Sequence, residues 1–488
     1  MVIHTSGHTR TYEMEALLKL FRPAEKFAFS AEDSPPADGE LISAVLLPEG
    51  TGMNRLICRT ALGGQMRESE AVLPETVQGN DLDREISGLL YPQLCALTGM
   101  EPAWGMLTGI RPVNLMRKFA ERRGSLKQAM ADFREIWHVS GGKTLLAAGI
   151  LSVQKPILDA APPNGIGLYV SIPFCPTRCR YCSFVSNSVS QMKQRLLPEY
   201  LTRLHTEMQM TAELICRHHL QIDTVYVGGG TPTVLSAEEL ENLLLRIAEL
   251  LRQCGSPALR EYTVEAGRPD TITEEKLLCM RRFGVNRISV NPQSFQDAVL
   301  EAAGRPHTAQ DAVEKYGLAQ KAGFENINMD LIAGLPCDTA AGFRESIERA
   351  VSLHPASITV HCLALKKAAD FYQNLPMPDA ETVSEMVAYA EDALTAAGYR
   401  PYYLYRQKNM AANLENVGYA LPGFESAYNI MMMDDSQTIL GVGAGAATKV
   451  IGGQRGIERL TECKYPNDYL ERFDELMTQK TARLEELL

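Results

Sequence analysis

The sequence predicts an α/β protein: a partial (β/α)6 barrel, preceded by an N-terminal α/β domain and followed by a C-terminal extension. The main observation is an alternation. Short apolar, β-branched runs at Gly167–Ile172, Thr224–Val227, Tyr262–Val264, Arg287–Val290, Ile327–Ile332 and Ser357–Leu363 are separated by helical stretches, the pattern of repeated βα units on a parallel sheet. The runs are nearly continuous in apolar residues, as expected where helices cover the sheet. A third observation is the Ala160-Ala161-Pro162-Pro163-Asn164 segment, a linker signal that sets this regular region off from what precedes it.

In chain order, residues 1–155 form the N-terminal domain, with a strand at Leu41–Leu47 and helices at Asp81–Leu97 and Val113–Arg122. The Thr108-Gly109-Ile110-Arg111-Pro112 turn reads as a helix entry, and no chemical motif stands out in this part. Residues 160–400 form the barrel, its helices predicted at Pro198–His218, Ala237–Gln253, Thr273–Phe283, Ala309–Ala322 and Gly342–Leu353. Residues 401–488 are less periodic. They hold Tyr402–Arg406, a Gly441-Val442-Gly443-Ala444-Gly445 turn and a closing amphipathic helix near Tyr469–Met477, and are expected to cover the substrate.

Composition narrows the function. The chain has 488 residues, 45% hydrophobic and 22% charged, with a formal net charge of −11. Such a surface repels nucleic acid and anionic membranes, so no nucleic-acid partner is expected. Met1–Thr11 is polar with no apolar stretch behind it, and no run is long and apolar enough to span a bilayer. The expected location is the cytoplasm. The eleven cysteines argue against a disulfide framework. Cys58, Cys95, Cys216, Cys254, Cys279, Cys337, Cys362 and Cys463 read mostly as small core residues.

Cys175, Cys179 and Cys182 differ. They are spaced C-x3-C-x2-C in the loop directly after the first barrel strand. Zinc ribbons need a second Cys or His pair, and none is nearby. Iron–sulfur clusters are held by such runs, usually through four cysteines. Three ligands on a cubane leave one iron open to a substrate or cofactor. Other polar groups fall at later strand ends, where barrel enzymes carry their chemistry. Gly228-Gly229-Gly230-Thr231-Pro232 follows the second strand and Glu265 ends the third. Gln293 closes the fourth, Arg305 lies twelve residues on, and Asp330 sits in the fifth. Buried polar groups need partners, and a shared polar ligand explains them together.

C-x3-C-x2-C with Tyr181 before the last cysteine resembles the signature of radical S-adenosylmethionine (SAM) enzymes, which implies a [4Fe–4S] cluster and SAM. Tyr169–Cys182, the Gly-Gly-Gly-Thr-Pro turn, Glu265, Arg287…Gln293-Ser294-Phe295 and Asp330-Leu331-Ile332…Gly334-Leu335-Pro336 together resemble the oxygen-independent coproporphyrinogen III dehydrogenase family. The N-terminal extension and Tyr403-Leu404-Tyr405-Arg406-Gln407-Lys408-Asn409 are most similar to its Z-type branch. The resemblance implies Cys175, Cys179 and Cys182 as cluster ligands and Tyr169 and Tyr181 as neighbours of SAM. It implies Gly229, Gly230 and Thr231 at the methionyl end, Glu265 on the amino group and Arg305 on the carboxylate. Gln293 and Asp330 would hold the ribose hydroxyls, and Ala364 adenine or a second SAM. It names no catalytic residue beyond these.

The implied reaction converts two propionates of a tetrapyrrole, coproporphyrinogen III, to vinyl groups, and needs an electron donor. Arg406 and Lys408 are candidates for the substrate carboxylates. Cys182-Ser183-Phe184 departs from the fourth cysteine of the better-studied branch and is closer to the related haem chaperones. A haem-binding role therefore stands as the alternative, with His361 as an axial ligand or as a satisfied strand-end histidine. A radical enzyme that opens the haem ring is a third.

Overall fold

Several helices of this chain begin where a short polar side chain can satisfy free backbone N–H groups. Ser236 and Glu239 form a reciprocal capping box, as do Thr308 and Asp311. Thr273, Thr339 and Asp379 each cap one more helix by accepting a backbone N–H at the side chain. The computed structural model describes residues 1–488 except 24, 31–38, 110, 183–186, 257, 365–374, 408–409, 454–455 and 462, and describes only the backbone of 187–195 and 453. The chain divides into two compact units, Met1–Ala148 and Gly149–Leu488.

The first unit carries β1 (Val2–Ser6), α1 (Thr11–Phe21), β2 (Ala28–Ser30), β3 (Leu41–Gly50), β4 (Met53–Leu62), β5 (Gln65–Pro74), α2 (Gly79–Thr98), α3 (Pro112–Arg123) and α4 (Leu126–Glu135). Its sheet has the order β2-β1-β3-β4-β5. β1 runs parallel to β2 and β3, and β3, β4 and β5 are antiparallel. Alternating burial along β4 turns Leu56, Cys58 and Leu62 onto α1 and α2, where they pack with Leu17, Leu18, Ile86 and Leu90. The unit boundary falls inside α5 (Gly141–Asp159), before the 160–164 segment expected as a linker.

The second unit continues with β6 (Gly165–Ile172), β7 (Phe174–Cys175), β8 (Asn187–Ser188), α6 (Val189–Arg217), β9 (Gln221–Gly229), α7 (Ala237–Gln253), β10 (Glu261–Glu265), α8 (Glu274–Arg282), β11 (Arg287–Ser289), α9 (Asp297–Ala302), α10 (Ala309–Lys321), β12 (Asn326–Ala333), α11 (Ala340–Ser352), β13 (Ser357–Cys362) and α12 (Ala380–Ala396). β6, β9, β10, β11, β12 and β13 pair in parallel in chain order. This is the expected run of six βα units, with every expected strand in place.

The sheet does not stop at six strands. β14 (Arg400–Tyr405) and β15 (Asn416–Ala420) extend it beyond β13, both pairings antiparallel. Past α13 (Ala427–Asp434), β16 (Thr438–Val442) pairs in parallel with β6 at the other edge, followed by β17 (Ala447–Gly453) and β18 (Gly456–Thr461). The C-terminal stretch is thus woven into the barrel sheet. The single closing helix expected near Tyr469–Met477 is two, α14 (Pro466–Glu471) and α15 (Phe473–Leu487), with Arg472 between them. The cysteines also divide more evenly than expected: Cys58, Cys279 and Cys362 are buried, Cys95, Cys216, Cys254 and Cys463 are half-buried, and Cys337 is exposed.

A buried ionic knot ties the C-terminal helices to the barrel. Glu207 on α6 accepts from Tyr469 Oη at 2.6 Å and from Gly443 N at 2.8 Å, and it pairs with Lys480. Lys480 Nζ also donates to Gly441 O at 2.6 Å. Removing one partner of a buried pair strands the other charge, at a cost of about 3–5 kcal/mol. Glu207→Leu should therefore lower the urea midpoint of unfolding sharply. Adding Lys480→Met to it should recover much of the loss. A single Glu207→Leu variant as stable as the parent would contradict this reading.

Candidate active site at the carboxyl ends of the strands

Parallel pairing puts the C-terminal ends of β6 to β13 on one rim. Most residues of these strands are buried, β11 throughout, but Tyr169, Tyr226, Glu265, Asp330 and His361 on the other five keep partial exposure, joined by Tyr405 of β14. They belong to one cluster. Tyr226 Oη donates to Glu265 Oε1 at 2.5 Å, and the rings of Tyr169, Tyr226 and Tyr428 stack with centroids 4.5–6.5 Å apart. His361 Nε2 lies 3.7 Å from Asp330 Oδ1. Asp330 also accepts from Asn291 Nδ2 and Asn328 Nδ2, both at 2.7 Å.

The two carboxylates behave oppositely. Burial pushes Glu265 up to about 7; the Tyr226 bond opposes this, while the charge of Asp330 adds to it. Burial would also raise Asp330, but its bonds from His361, Asn328 and Thr359 outweigh that and hold it below the usual carboxylate range. Glu265 is on β10 and Asp330 on β12. The charge of Asp330 acts on Glu265, and with Tyr169, Tyr226 and Tyr428 the two carboxylates make an acidic, tyrosine-lined lumen.

The cysteine loop leaves this rim from β6. Cys175, in β7, has its Sγ 3.4 Å from Thr231 Oγ1. Cys179 is buried, with Arg268 Nη1 at 3.7 Å and Arg305 Nη1 at 3.9 Å from its sulfur. Cys182 N donates to Cys179 O at 3.2 Å, which folds the loop back on itself. Ser183 and Phe184 lie outside the described residues. Among the described residues, no three His, Cys, Asp or Glu side chains converge on a single metal ion. A cubane makes no such demand, because each thiolate binds a different iron.

The glycine turn is shaped by close approach. A Cβ on Gly230 would sit 2.4 Å from Phe174 O, and Gly229 has φ +109°, a conformation L side chains rarely adopt. Gly230 N donates to Ile172 O at 2.8 Å, and the Gly229 backbone bonds the Glu265 carboxylate. The Thr231 hydroxyl faces Cys175. Gln293 is buried at φ +68°, and its backbone bridges β12, with N donating to Asp330 O and O accepting from Ile332 N, both at 2.9 Å. A non-glycine residue held there signals local strain that the surrounding structure enforces.

Arg305 donates to Asn291 O and Gly267 O, while its buried Nε has no hydrogen-bond partner among the described residues. Tyr181 packs on Val299, Ala303, Ile332, Leu335 and Leu363, and burial drives its phenol well above the ordinary value against the opposing charge of Arg305. Ala364 lies past the end of β13 in a bridge to Met410. Arg406 is buried and donates to Asn413 O at 2.9 Å, and Lys408 lies outside the described residues.

Sequence reasoning missed Arg268, Tyr226, Asn291, Asn328 and Tyr428. Arg268 is 3% exposed, reaches Thr177 O as well as Cys179, and is paired with Asp270. Its position three residues past Glu265 was the available signal. Tyr226 stands two residues before the glycine turn.

The sequence profile of the radical SAM superfamily matches residues 169–350, the span from Tyr169 through α11. The oxygen-independent coproporphyrinogen-III oxidase-like protein HemZ of Bacillus subtilis (strain 168) is 42% identical over 412 residues, covering 82% of this chain and 81% of that relative. The heme chaperone HemW of the same organism is 34% identical over 294 residues, covering 59% of this chain and 72% of its own length. Among solved structures, the radical SAM enzyme coproporphyrinogen III oxidase (HemN) from Escherichia coli superposes with a TM-score of 0.53 at 23% identity, over 67% of this chain and 73% of that one. That likeness concerns the fold. The thiol loop, the glycine turn and the level of identity to HemZ together place the chain in the HemZ-like branch of the oxygen-independent coproporphyrinogen-III oxidase family of radical SAM proteins, whose cofactors are a [4Fe–4S] cluster and SAM.

Proposed function

We propose that the chain is a radical SAM oxidoreductase that oxidatively decarboxylates coproporphyrinogen III, turning two propionates into vinyl groups with release of two CO2. The observation that carries this is the single rim where three thiols, a glycine turn and an acidic, tyrosine-lined lumen meet. The kinship to HemZ and to HemN supports the substrate class.

The residues present fit both cofactors. Cys175, Cys179 and Cys182 would hold three irons and leave the fourth for SAM. SAM carries one more positive than negative charge, which suits a lumen holding Glu265 and Asp330, and the unmatched Nε of Arg305 offers a donor to its carboxylate. When bound, the cluster and SAM supply a 5′-deoxyadenosyl radical by one-electron reduction, from a donor still to be identified.

The chain's own groups then orient and shield. Glu265 takes the methionyl ammonium, and the Tyr226 hydroxyl fixes the direction of its carboxylate. Asp330, aligned by Asn291 and Asn328, accepts from the ribose hydroxyls beside Gln293. Gly229 and Gly230 allow the methionyl end to come close, and Tyr169 and Tyr181 flank it. Arg268, Arg305 and Thr231 temper the charge on the thiolates of Cys179 and Cys175, the kind of outer contact that tunes a cluster. In the substrate, each propionate would give a hydrogen atom from its β-carbon to the 5′-carbon of one SAM-derived nucleoside, forming 5′-deoxyadenosine, and one electron to an external one-electron acceptor, as the C–COO⁻ bond breaks to give the alkene and CO2.

The similarity to HemW favours a second reading, a haem-binding chaperone that carries the same cluster. Anaerobic incubation of reconstituted protein with SAM, a reductant and coproporphyrinogen III separates the two. The proposal expects a divinyl product and CO2 in step with 5′-deoxyadenosine. Tight haem binding with no decarboxylation would overturn it in favour of the chaperone.

Changing Cys175, Cys179 or Cys182 to Ala should abolish cluster iron, whereas Cys216→Ala should leave about four irons per chain, as a [4Fe–4S] cluster requires. Full iron retention in the triple variant would refute the assignment. SAM affinity should depend on pH through Glu265. With its carboxyl near 7 in the free site, binding an ammonium requires proton loss as pH falls below that value. Affinity should then weaken by up to about tenfold per pH unit on the acid side. Calorimetry on Glu265→Gln should show weaker SAM binding and a flat profile over the same range. An unchanged slope in that variant would remove Glu265 from the ammonium site.

A further inference from the structure

A substrate bearing four carboxylates faces a difficulty in this lumen, because Glu265 and Asp330 repel it. The cations that sequence and fold supply nearby are mostly committed elsewhere. Arg268 and Arg305 are buried and turned onto Cys179. Arg287 is buried and donates to Asn326 and Ser357, and Arg406 is buried and donates to Asn413 O. Among the described strand residues that keep partial exposure toward the lumen, His361 is the one that can carry positive charge. Its side chain is 25% exposed, and Nε2 lies 3.7 Å from Asp330 Oδ1.

Asp330 is already satisfied by two amide donors, Asn291 and Asn328. His361 stands beside them, its Nε2 at 3.7 Å, and at 25% exposure its ring can also meet a ligand. The ring sits on β13, next to β12 in the sheet, with Ile332 opposite it in register. The carboxylate assigned above to the ribose and the imidazole thus lie side by side at the rim.

We propose that His361 is the residue that meets a propionate carboxylate of the substrate, so that it selects a carboxylate-bearing tetrapyrrole and holds one side chain beside the ribose of SAM. This rests on the reading of the lumen as a tetrapyrrole-decarboxylating site. In chemical terms, a ring N–H of His361 donates to one carboxylate oxygen of the substrate, with Asp330 on the other side of the ring's edge. No covalent step is involved.

The test uses full-length, cluster-loaded protein and two fluorescent probes, coproporphyrin III and its tetramethyl ester, in which four carboxylates are replaced by neutral methyl esters. The parent should bind the acid at least about tenfold more tightly than the ester, as losing a charge-assisted bond implies. His361→Gln, which keeps a polar side chain without the charge, should bind both alike, while His361→Lys should restore the preference. Cluster content should stay within about twofold of the parent in both variants, and SAM affinity should fall by less than the preference for the acid. If His361→Gln keeps the parent's preference for the acid, the assignment of His361 is overturned while the carboxylate-binding lumen stands. If His361→Gln loses SAM affinity as much as porphyrin affinity, His361 merely supports Asp330 and the proposal fails. If the parent itself does not distinguish acid from ester, the tetrapyrrole-carboxylate reading of the site falls as a whole.

Discussion

Two carboxylates inside one barrel mouth, each dressed by neutral donors and none neutralised by a lysine or arginine, set the terms for the rest of this site. Glu265 and Asp330 sit two strands apart, and Glu265 feels the charge of Asp330. Tyr226, Asn291 and Asn328 supply hydrogen bonds without cancelling the charge. Buried charge of this kind is costly unless something completes it. Parallel register is what forces the pair together: β10, β11 and β12 are locked residue to residue, Val264 to Ile288 and Ile288 to Ile327, so the ends of these strands have one place to go. A ligand with an excess of positive charge completes the arrangement.

The thiol loop follows the opposite logic. Its sulfurs are negative when they bind iron, and the fold surrounds Cys179 with guanidinium groups from the segments after β10 and after α9. These arginines hold themselves in place through backbone carbonyls: Arg268 on Thr177 O, Arg305 on Asn291 O. Loop, third strand and fourth strand are thereby tied into one assembly. The cationic side of the site faces the cysteines and the anionic side faces the lumen. A zwitterionic ligand with an added positive centre spans such a gradient in one orientation.

Much of this was legible in the sequence. The six parallel strands stood out because each is a short, continuous apolar run between helices with clear caps, such as Ser236…Glu239 and Thr308…Asp311. The cysteine spacing, the glycine turn, Glu265, Gln293 and Asp330 were legible because cysteines, polar residues or glycines at the ends of apolar strands break a regular pattern; Arg305, past α9, came only from the family resemblance. Long-range pairing was not legible. That β16 would return to lie against β6, more than 250 residues earlier in the chain, depends on tertiary packing around Glu207, Tyr469 and Lys480, which leaves no local trace. Arg268 belongs to no motif, and only the fold brings it to Cys179. The split between α14 and α15 turns on the single residue Arg472, too little to interrupt an amphipathic pattern.

The account's central claim is that this lumen delivers a radical to the β-carbon of a substrate propionate. The most direct measurement uses coproporphyrinogen III deuterated at its propionate β-carbons, with reconstituted protein, SAM and a reductant under anaerobic conditions, followed by mass analysis of the 5′-deoxyadenosine. The account predicts that the nucleoside formed carries deuterium taken from the substrate. Nucleoside formed in the presence of bound substrate but free of deuterium would contradict it.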